Sequence, residues 1–464
     1  MDGYPLTLVT AMRRARREFG DQVVVSGGEQ TPSAYTFADC FRRADRLSWA
    51  LRELGVTAGE PVATLAWNTR EHLEIYIATV STGAVLHPID VRLSAGQIVE
   101  VIRRAGDVVL FADGQLLDEL AEPLIAAGIR VPVIVIGAHR RADTRMLVSY
   151  RYEELLATEP DAEFFYDEVS ELAPAALAYS SATAGPAKGV VYSHRAMYLH
   201  TTMLTSADTW AISAADCVLP ILPMCHLNAW GIPFAALWAG SRLILPGRRP
   251  DPGELLRLLA EATFAAAGPT VWASIFTEMR RTGSVPRRLR AAVCCGAAMG
   301  PGLLREADEL GVPIMHSYGM TEAAPLVLVG RARPGRAFTE ETRLKQGYVV
   351  PGLDYLVQDE IGADVPRDGR TPGELLLRGP WIVDRYFGDD IRSKAAFSGG
   401  WYHTGDIVTV DAAGYIQLIG KKDLWTASGR NGDPTSPRPA MSSRFARALS
   451  TSARSSTGPP RSGT

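Results

Sequence analysis

Lysine is scarce in this 464-residue sequence. Only five of its 48 basic residues are lysines, at positions 188, 345, 394, 421 and 422, and arginine supplies the other positive charges. A lysine inside a motif is therefore a stronger signal here than in an average chain. The 51 acidic residues bring the formal net charge to −3, and the charges are interspersed. Because no basic stripe of the kind that binds nucleic acid is present, we expect no nucleic-acid partner.

Cysteines and long apolar runs are also few. The five cysteines lack the paired spacing of a zinc site or a disulfide framework, so buried thiols are expected. No apolar run approaches the roughly 18 residues that a membrane-spanning helix needs. The first twenty residues lack the apolar core and cleavage site of a signal peptide. We therefore expect a cytoplasmic protein without a transmembrane segment.

The segment YSSATAGPAKG, residues 179–189, carries the clearest chemical signal. It follows a strand-like run and combines hydroxyls, glycines and a lysine, namely Ser180, Ser181, Thr183, Gly185, Lys188 and Gly189. Glycines let backbone N–H groups turn toward an anion, hydroxyls donate to its oxygens, and a lysine neutralises its charge. The segment predicts a phosphate-holding loop. It is not a Walker A loop, because glycine and valine follow the lysine, and an ordinary surface turn is the alternative.

Helix-like and strand-like patterns alternate through most of the chain. Examples are the strand PVATLAW, the helix REHLEIYIATVSTGAV (residues 70–85) and the strand VVLFAD, whereas residues 140–170 resemble a loop with a short helix. This alternation predicts an α/β fold with parallel sheets covered by helices. From residue 347 to residue 418 the pattern changes to short strands between Gly, Pro and Asp turns. That change predicts a small β-barrel-like unit.

The most apolar tract, residues 217–240, has two interpretations. It predicts a strand, a turn at His226 and Asn228, and then an apolar helix. Its large side chains are suited to lining a hydrophobic tunnel, although most such stretches are plain core. The residues in question are Met224, Leu227, Ala229, Trp230, Phe234 and Trp238.

Two later segments suit a nucleotide. HSYGMTE, residues 316–322, supplies an aromatic ring for a base, a hydroxyl for a phosphate oxygen and a carboxylate for Mg²⁺. In WYHTGD, residues 401–406, the acid Asp406 sits next to a glycine that predicts a turn. Asp406 either accepts ribose hydroxyls or caps that turn.

Together these motifs resemble one family. YSSATAGPAKG, HSYGMTE and WYHTGD, in this order and at these intervals, are similar to the signature set of the adenylate-forming enzymes, which include acyl-CoA synthetases, luciferases and adenylation domains of peptide synthetases. The similarity covers residues 5–428. LPMCHLNAWGIPFAALWAGSRLILPG and FAAAGPTVW look most like the medium- and long-chain fatty-acyl-CoA ligases. The resemblance implies a core of two parallel-type sheets with helices and a small β-barrel subdomain.

The resemblance also implies an activity. A fatty acid would attack the α-phosphate of ATP, with Mg²⁺ present, to give an acyl-adenylate and pyrophosphate. The thiol of coenzyme A would then displace AMP. Lys188 would neutralise phosphate charge, Thr321 would contact the α-phosphate, and Glu322, with Thr183, would hold Mg²⁺. His226 matches the aromatic or histidine gate near the substrate carboxylate.

Further roles follow from the same similarity. Tyr318, with Gly319 beside it, would pack on adenine, and Asp406 would bind the ribose. The small turn Gly296, Ala297 and Ala298 would lie beside adenine and the acyl chain. A non-catalytic nucleotide- or acyl-binding remnant, or a partner subunit, is the alternative function. A homodimer is compatible with such a core.

The sequence departs from the family pattern in the loop and the hinge. Ala182 stands where glycine is usual and Ala184 where a second threonine is usual, so one phosphate hydroxyl is missing. In IGKKDLWTASG, Gly420 replaces an arginine that contacts ribose and phosphate. Lys421 would substitute poorly, because it lacks the planar fork of arginine.

The largest departure from the family pattern is at the end of the sequence. After residue 428 the family continues with a C-terminal lid domain that carries a catalytic lysine, whereas residues 430–464 contain six arginines, eight serines and five prolines without apolar periodicity. This composition predicts disorder, and a frameshift near codon 428 is our hypothesis for it. The expected domains are an adenylate-forming core at 1–418 with its barrel at 345–418, a hinge remnant at 419–429 and a tail at 430–464. Impaired activity is expected for such a chain.

Overall fold

The structure is a computed structural model that describes residues 4–27, 33–139, 147–164, 169–180 and 187–422. The chain divides into two compact units, Met1–Ile419 and Gly420–Thr464. Only three residues of the second unit are described. The predicted tail and most of the predicted hinge remnant lie outside the described residues, so the proposed domain boundaries stay predictions.

The described residues form thirteen α-helices. In chain order α1 to α13 are Leu8–Glu18, Phe37–Glu53, Arg70–Ser81, Ala95–Ala105, Gly114–Ala126, Tyr152–Thr158, His194–Leu204, Ile232–Ala239, Pro252–Leu259, Pro269–Thr282, Pro301–Leu310, Glu340–Leu344 and Asp390–Ala396. Two 3₁₀ helices cover Leu227–Gly231 and Thr321–Ala323. Polar caps begin several of the helices. Thr36 and Ser94, for example, each form a capping box with the third helical residue.

The same residues contain twenty-two strands. In chain order β1 to β22 are Val23–Ser26, Ser33–Thr36, Pro61–Leu65, Val85–Pro88, Val109–Asp113, Val133–Ile136, Val148–Arg151, Pro174–Ser180, Lys188–Ser193, Cys217–Pro220, Arg242–Leu245, Phe264–Ala267, Ala291–Cys294, Ile314–Gly319, Leu326–Val329, Tyr348–Val349, Asp354–Gln358, Gly373–Arg378, Tyr386–Phe387, Phe397–Ser398, Trp401–Val410 and Ile416–Lys421.

Two large sheets, mostly parallel, form the body of the first unit. The eight-stranded sheet has the order β19-β9-β8-β4-β3-β5-β6-β7, and the nine-stranded sheet has the order β16-β15-β14-β13-β12-β10-β11-β1-β2. Antiparallel pairs occur only toward their ends, at β8-β9-β19, β14-β15-β16 and β1-β2, among the described strands. The predicted α/β fold with two parallel-type sheets is confirmed.

The third sheet is an antiparallel half-barrel in the order β17-β18-β21-β20, with β22 also paired to β21. It confirms the predicted change to short strands. Just before it in the chain, β16, Tyr348–Val349, pairs with β15 of the nine-stranded sheet. The half-barrel strands therefore begin at Asp354.

Two predicted element boundaries are wrong. The helix expected over residues 70–85 ends at Ser81, because Gly83 takes a left-handed φ of 75° and Val85 already begins β4. Within the region expected to be a loop with a short helix, Val148–Arg151 adds strand β7 to the edge of the eight-stranded sheet before α6. Three of the four side chains of β7 are exposed, so the segment lacks the apolar alternation that predicts a strand.

The interior agrees with the composition. All five cysteines are buried free thiols, as expected. The side chains of Met224, Ala229, Trp230 and Phe234 belong to the largest hydrophobic core cluster. No helix in the described part of the chain is long and apolar enough to cross a membrane.

Candidate active site

The base of the predicted phosphate loop is an antiparallel hairpin. Strands β8 and β9 pair from Pro174 opposite Ser193 to Ser180 opposite Lys188. The hairpin therefore places Ser180 and Lys188 side by side, one on each side of the connecting loop. Ser181, Thr183 and Gly185 lie outside the described residues, and their roles stay predictions.

Lys188 takes part in a three-residue chain of polar contacts. Its Nζ lies 3.4 Å from the phenol oxygen of Tyr386 and 4.7 Å from the ring centroid. The Tyr386 hydroxyl in turn donates to Oε1 of Glu322 at 2.8 Å. Burial, and then the Glu322 charge, raise the pKa of Tyr386, so the phenol stays protonated and serves as a donor. These contacts link Lys188 and Glu322, two of the predicted site residues, through Tyr386.

Long-range strand pairing positions this tyrosine. Tyr386 lies in β19, which pairs with β9 so that Tyr386 is opposite Val190 and Phe387 is opposite Gly189. Tyr386 lies in none of the three motifs that predicted the site. Periodicity within a short window carries no information about a partner strand that lies almost 200 residues away in the sequence.

Glu322 is held in a short 3₁₀ turn. The side chains of Thr321 and Glu322 are largely buried, at 7% and 8% exposure. The hydroxyl of Tyr192 donates to the Thr321 carbonyl at 2.5 Å, and the Val383 N–H donates to the Glu322 carbonyl at 3.0 Å. Just before the turn, a Cβ on Gly319 would lie 2.1 Å from the Pro325 carbonyl oxygen, so the close backbone approach requires glycine there.

Tyr318 and Asp406 form a second pair at this site. The phenol of Tyr318 donates to Oδ2 of Asp406 at 2.5 Å. Burial, and then the Asp406 charge, raise the pKa of Tyr318. WYHTGD lies inside strand β21 and not in a loop between strands. Gly405 has a left-handed φ of 68°, at the point where the pairing of β21 with β18 shifts register. Whether Asp406 binds ribose or only stabilises this irregular backbone stays a prediction.

The small turn after β13 is open to solvent. Gly296, Ala297 and Ala298 are exposed, and a Cβ on Gly296 would meet no atom within 4 Å. The buried imidazole of His316 lies beneath this turn, where its Nε2 accepts a hydrogen bond from the Met299 N–H at 3.4 Å. The turn therefore presents a small, unobstructed surface, as a flat ring or chain would need.

His226 lies beside a carboxylate of a neighbouring loop. Its Nδ1 is 3.5 Å from Oδ2 of Asp90, and its side chain is 26% exposed. Burial lowers the pKa of His226, although the Asp90 charge opposes this effect. Among the described residues no hydrogen bond or ion pair joins His226 to Lys188 or Glu322, so polar contacts do not link the two parts of the predicted site directly.

The apolar tract behaves as packed core. Trp230 stacks on Trp210 with ring centroids 6.1 Å apart, and Phe234 stacks on Tyr76 at 5.8 Å. Such contacts favour the core interpretation over the tunnel interpretation, which stays a prediction. Trp238 is half-buried, and the side chain of Leu227 lies outside the described residues.

A single carboxylate fits the magnesium that the motifs imply. The described residues contain no group of three or more His, Cys, Asp and Glu side chains that could hold a metal by themselves. Mg²⁺ is usually bound through one or two carboxylates together with substrate phosphates, rather than by an all-protein cage. Glu322, next to the base of the phosphate loop, is consistent with that mode. Thr183, the other predicted Mg²⁺ contact, lies outside the described residues. Lys421, predicted as a poor substitute for the arginine that contacts ribose and phosphate, ends strand β22.

Comparison with known proteins identifies the family. A family model described as AMP-binding enzyme matches residues 12–387. The chain belongs to the AMP-binding enzyme family. Among curated members, it is 37% identical to a long-chain-fatty-acid–CoA ligase of Thermus thermophilus, over 92% of this chain and 81% of the relative. It is 34% identical to a medium-chain-fatty-acid–CoA ligase of Ectopseudomonas oleovorans, over 91% and 79%.

A solved structure supports the fold of this AMP-binding chain independently. An anthranilate CoA ligase in complex with anthranoyl-AMP superposes with a TM-score of 0.80, at 22% identity, over 91% of this chain and 79% of that one. At this identity the likeness shows the shared fold alone. It agrees with the two large sheets and the half-barrel described above.

Proposed function

We propose that this AMP-binding enzyme is an ATP-dependent fatty-acid–CoA ligase for a medium- or long-chain substrate. The proposal is supported by the names of two relatives at 37% and 34% identity. In the reaction, a carboxylate oxygen attacks the α-phosphorus of ATP, and the bond to the β,γ-pyrophosphate breaks. The thiolate of coenzyme A then attacks the acyl carbon, and AMP leaves.

The contact chain from Lys188 through Tyr386 to Glu322 carries this proposal. In this contact chain one cation and one carboxylate lie next to the hairpin at the base of the predicted phosphate loop. Lys188 offers its ammonium to phosphate oxygens, where transferred charge must be stabilised. Glu322 offers a carboxylate to Mg²⁺, which, when bound, neutralises charge on those oxygens. Tyr386 keeps the two side chains from pairing directly.

The remaining side chains bind and orient the substrates. We propose that Tyr318 packs on adenine and that Asp406, whose orientation Tyr318 fixes, accepts a ribose hydroxyl. Thr321 contacts the α-phosphate, and the open turn at Gly296 lies beside adenine. His226, with its lowered pKa, is a neutral donor or acceptor near the substrate carboxylate at neutral pH.

Glu322→Gln tests the assignment of the carboxylate. The variant keeps the shape of the side chain but removes the charge that Mg²⁺ requires, so we expect at least a tenfold weaker affinity for Mg·ATP. Pyrophosphate release that depends on fatty acid should fall at least as much, while fatty-acid binding changes little. Titration calorimetry with ATP and Mg²⁺, and separately with the fatty acid, measures both.

Glu360→Gln is the matched control, because Glu360 is an exposed glutamate outside the site. It should change neither affinity. Equal losses of Mg·ATP and fatty-acid binding in Glu322→Gln would show that Glu322 is structural. Wild-type protein that releases no pyrophosphate with any fatty acid would contradict ligase activity and favour the non-catalytic binding protein.

A further inference from the structure

The segment that leads to His226 is held by side chains from the opposite sheet. Residues Leu222–His226 follow β10 of the nine-stranded sheet. The side chains that bind their backbone are Asn68, just after β3 of the eight-stranded sheet, and Tyr76 in α3. Neither residue belongs to a motif that the sequence analysis identified.

Asn68 uses its whole amide on this segment. Its Nδ2 donates to the carbonyls of Pro220 and Leu222, both at 2.9 Å, and its Oδ1 accepts from the Met224 N–H at 2.7 Å. Its own carbonyl accepts from the Gly247 N–H at 3.0 Å, and the residue is only 5% exposed. The segment offers two carbonyls and one N–H to this side chain, so it needs two donors and one acceptor. An asparagine amide supplies both kinds of group, whereas the isosteric aspartate and leucine do not.

Tyr76 completes the attachment of Met224. Its hydroxyl donates to the Met224 carbonyl at 2.5 Å, and the side chain is fully buried. Both backbone groups of Met224 are therefore bound by side chains from the other sheet and its helix. Buried backbone groups that lose such partners are costly, so the segment has one strongly preferred position.

The turn after His226 needs this support. Asn228, Ala229 and Trp230 have φ values of 53°, 47° and 61°, so three consecutive residues other than glycine adopt the left-handed region. Each is unfavourable for an L-residue with a side chain, and such a run persists only where the surroundings determine it. The stacking of Trp230 on Trp210 holds the far end of the turn. Asn68 and Tyr76 hold the near end.

We infer that Asn68 and Tyr76 are positioning residues that fix His226 and the following left-handed turn for the fatty carboxylate. This inference rests on the proposed function, because only that function places the carboxylate at His226. It assigns the two residues to the acyl half of the site and not to the nucleotide half, which contains Lys188 and Glu322.

Tyr76→Phe tests the inference with a minimal change. It removes the hydrogen bond to Met224 and keeps the packing of the ring. We expect the KM for fatty acid to rise about tenfold while the KM for ATP stays unchanged. Hydrogen exchange of the backbone over residues 222–231 should become faster. Asn68→Ala removes three hydrogen bonds and should shift the same KM further.

Tyr152→Phe is the matched control. Tyr152 is also fully buried and also loses one hydroxyl hydrogen bond, which it donates to Glu74 at 2.7 Å. The control should leave both KM values and the exchange of residues 222–231 unchanged. If Asn68→Ala does not fold, the comparison of Tyr76→Phe with Tyr152→Phe decides the question.

Two outcomes would overturn the inference. Equal rises in both KM values in folded Tyr76→Phe would show a general structural role, and unchanged values with unchanged exchange would show no role. Failure of the proposed function looks different, because it appears as wild-type protein without ligase activity. In that case the exchange measurement decides by itself whether the two residues hold the segment.

Discussion

Tyr386 illustrates how one neutral side chain separates two charged ones. Lys188 and Glu322 would form a direct ion pair if they touched, and both would then be less available to a phosphate and a metal. Tyr386 instead receives the ammonium over its ring and hydroxyl and donates to the carboxylate. A cation over an aromatic face is stabilised without being neutralised. The arrangement leaves a positive and a negative group available to substrate.

Tyr386→Phe should therefore weaken nucleotide binding without removing the ring. The variant deletes the donor to Glu322, and a hydrogen bond to a charged group is worth about 1.5–3 kcal/mol. We expect Mg·ATP affinity to fall about tenfold or more, while fatty-acid affinity stays within twofold. Calorimetric titration of each ligand checks this, with Tyr415→Phe as control, because its hydroxyl donates to the Arg331 carbonyl instead. An unchanged Mg·ATP affinity would contradict the bridging role.

At the scale of elements, a buried carboxylate joins three helices. Glu74 in α3 accepts from Nε of Arg43 in α2 at 2.9 Å and from the hydroxyl of Tyr152 in α6 at 2.7 Å. The side chain is completely buried. Burial raises the pKa of Glu74 from its ordinary value near 4.5 to about 7, although the Arg43 charge opposes the effect. The protonation of one residue is thereby linked to the packing of three helices.

This link predicts how stability varies with pH. Between pH 5 and about pH 7 the folded protein holds a proton on Glu74 that the unfolded chain has largely lost, so stability falls as pH rises through this range. The glutamine in Glu74→Gln stays neutral at every pH, so the variant does not lose this part of its stability as pH rises. The free energy of unfolding of the variant, relative to wild type, should increase by about 2–3 kcal/mol over that range.

Thermal unfolding midpoints at several pH values measure the difference. The midpoint of Glu74→Gln minus that of wild type should increase as pH rises. For Glu360→Gln, at an exposed position, the same difference should stay constant. A difference that stays constant or narrows as pH rises would mean that Glu74 is ionised in the folded protein throughout this range, stabilised by Arg43.

The elements also show what local sequence can and cannot predict. Apolar periodicity and the three motifs predicted the α/β class and pointed to Lys188, Glu322 and Asp406, because those signals lie within a few residues of each other. Tyr386 and Asn68 escaped prediction, since their partners are 198 and 156 positions away. Strand register across a sheet decides such contacts, and a single sequence read locally does not contain it. The tunnel and the gate at His226 stay predictions for the same reason.

At the scale of the whole molecule, the site draws on three sheets. Lys188 and Tyr386 come from the eight-stranded sheet, Tyr318 from the nine-stranded sheet, and Asp406 from the half-barrel. The hydrogen bond between Tyr318 and Asp406 therefore joins two sheets as well as two site residues. How well the nucleotide is bound should depend on contacts that hold the half-barrel in place, even where these contacts lie outside the site.

Lys345 provides the test of that dependence. It is largely buried, and its Nζ contacts Oδ2 of Asp411 at 2.9 Å, in the turn that follows β21. The contact ties the half-barrel strand that carries Asp406 to the end of α12. Because largely buried ion pairs are screened by salt less than surface pairs, Lys345→Gln should lower the thermal midpoint. It should also weaken ATP binding several-fold, although Lys345 contacts neither Tyr318 nor Glu322.

Lys394→Gln is the matched control, because Lys394 is an exposed lysine in α13. The same change of charge and shape there should leave the midpoint and the ATP affinity unaltered. A lower midpoint in Lys345→Gln with unchanged ATP affinity would show that the half-barrel holds Asp406 in place without the contact to Asp411. We expect Lys345→Gln to lower both the thermal midpoint and the ATP affinity. Ligand affinity falls in proportion to the population of the binding-competent arrangement. A loss of both would therefore show that the contact between Lys345 and Asp411 helps to keep Asp406 in its binding position.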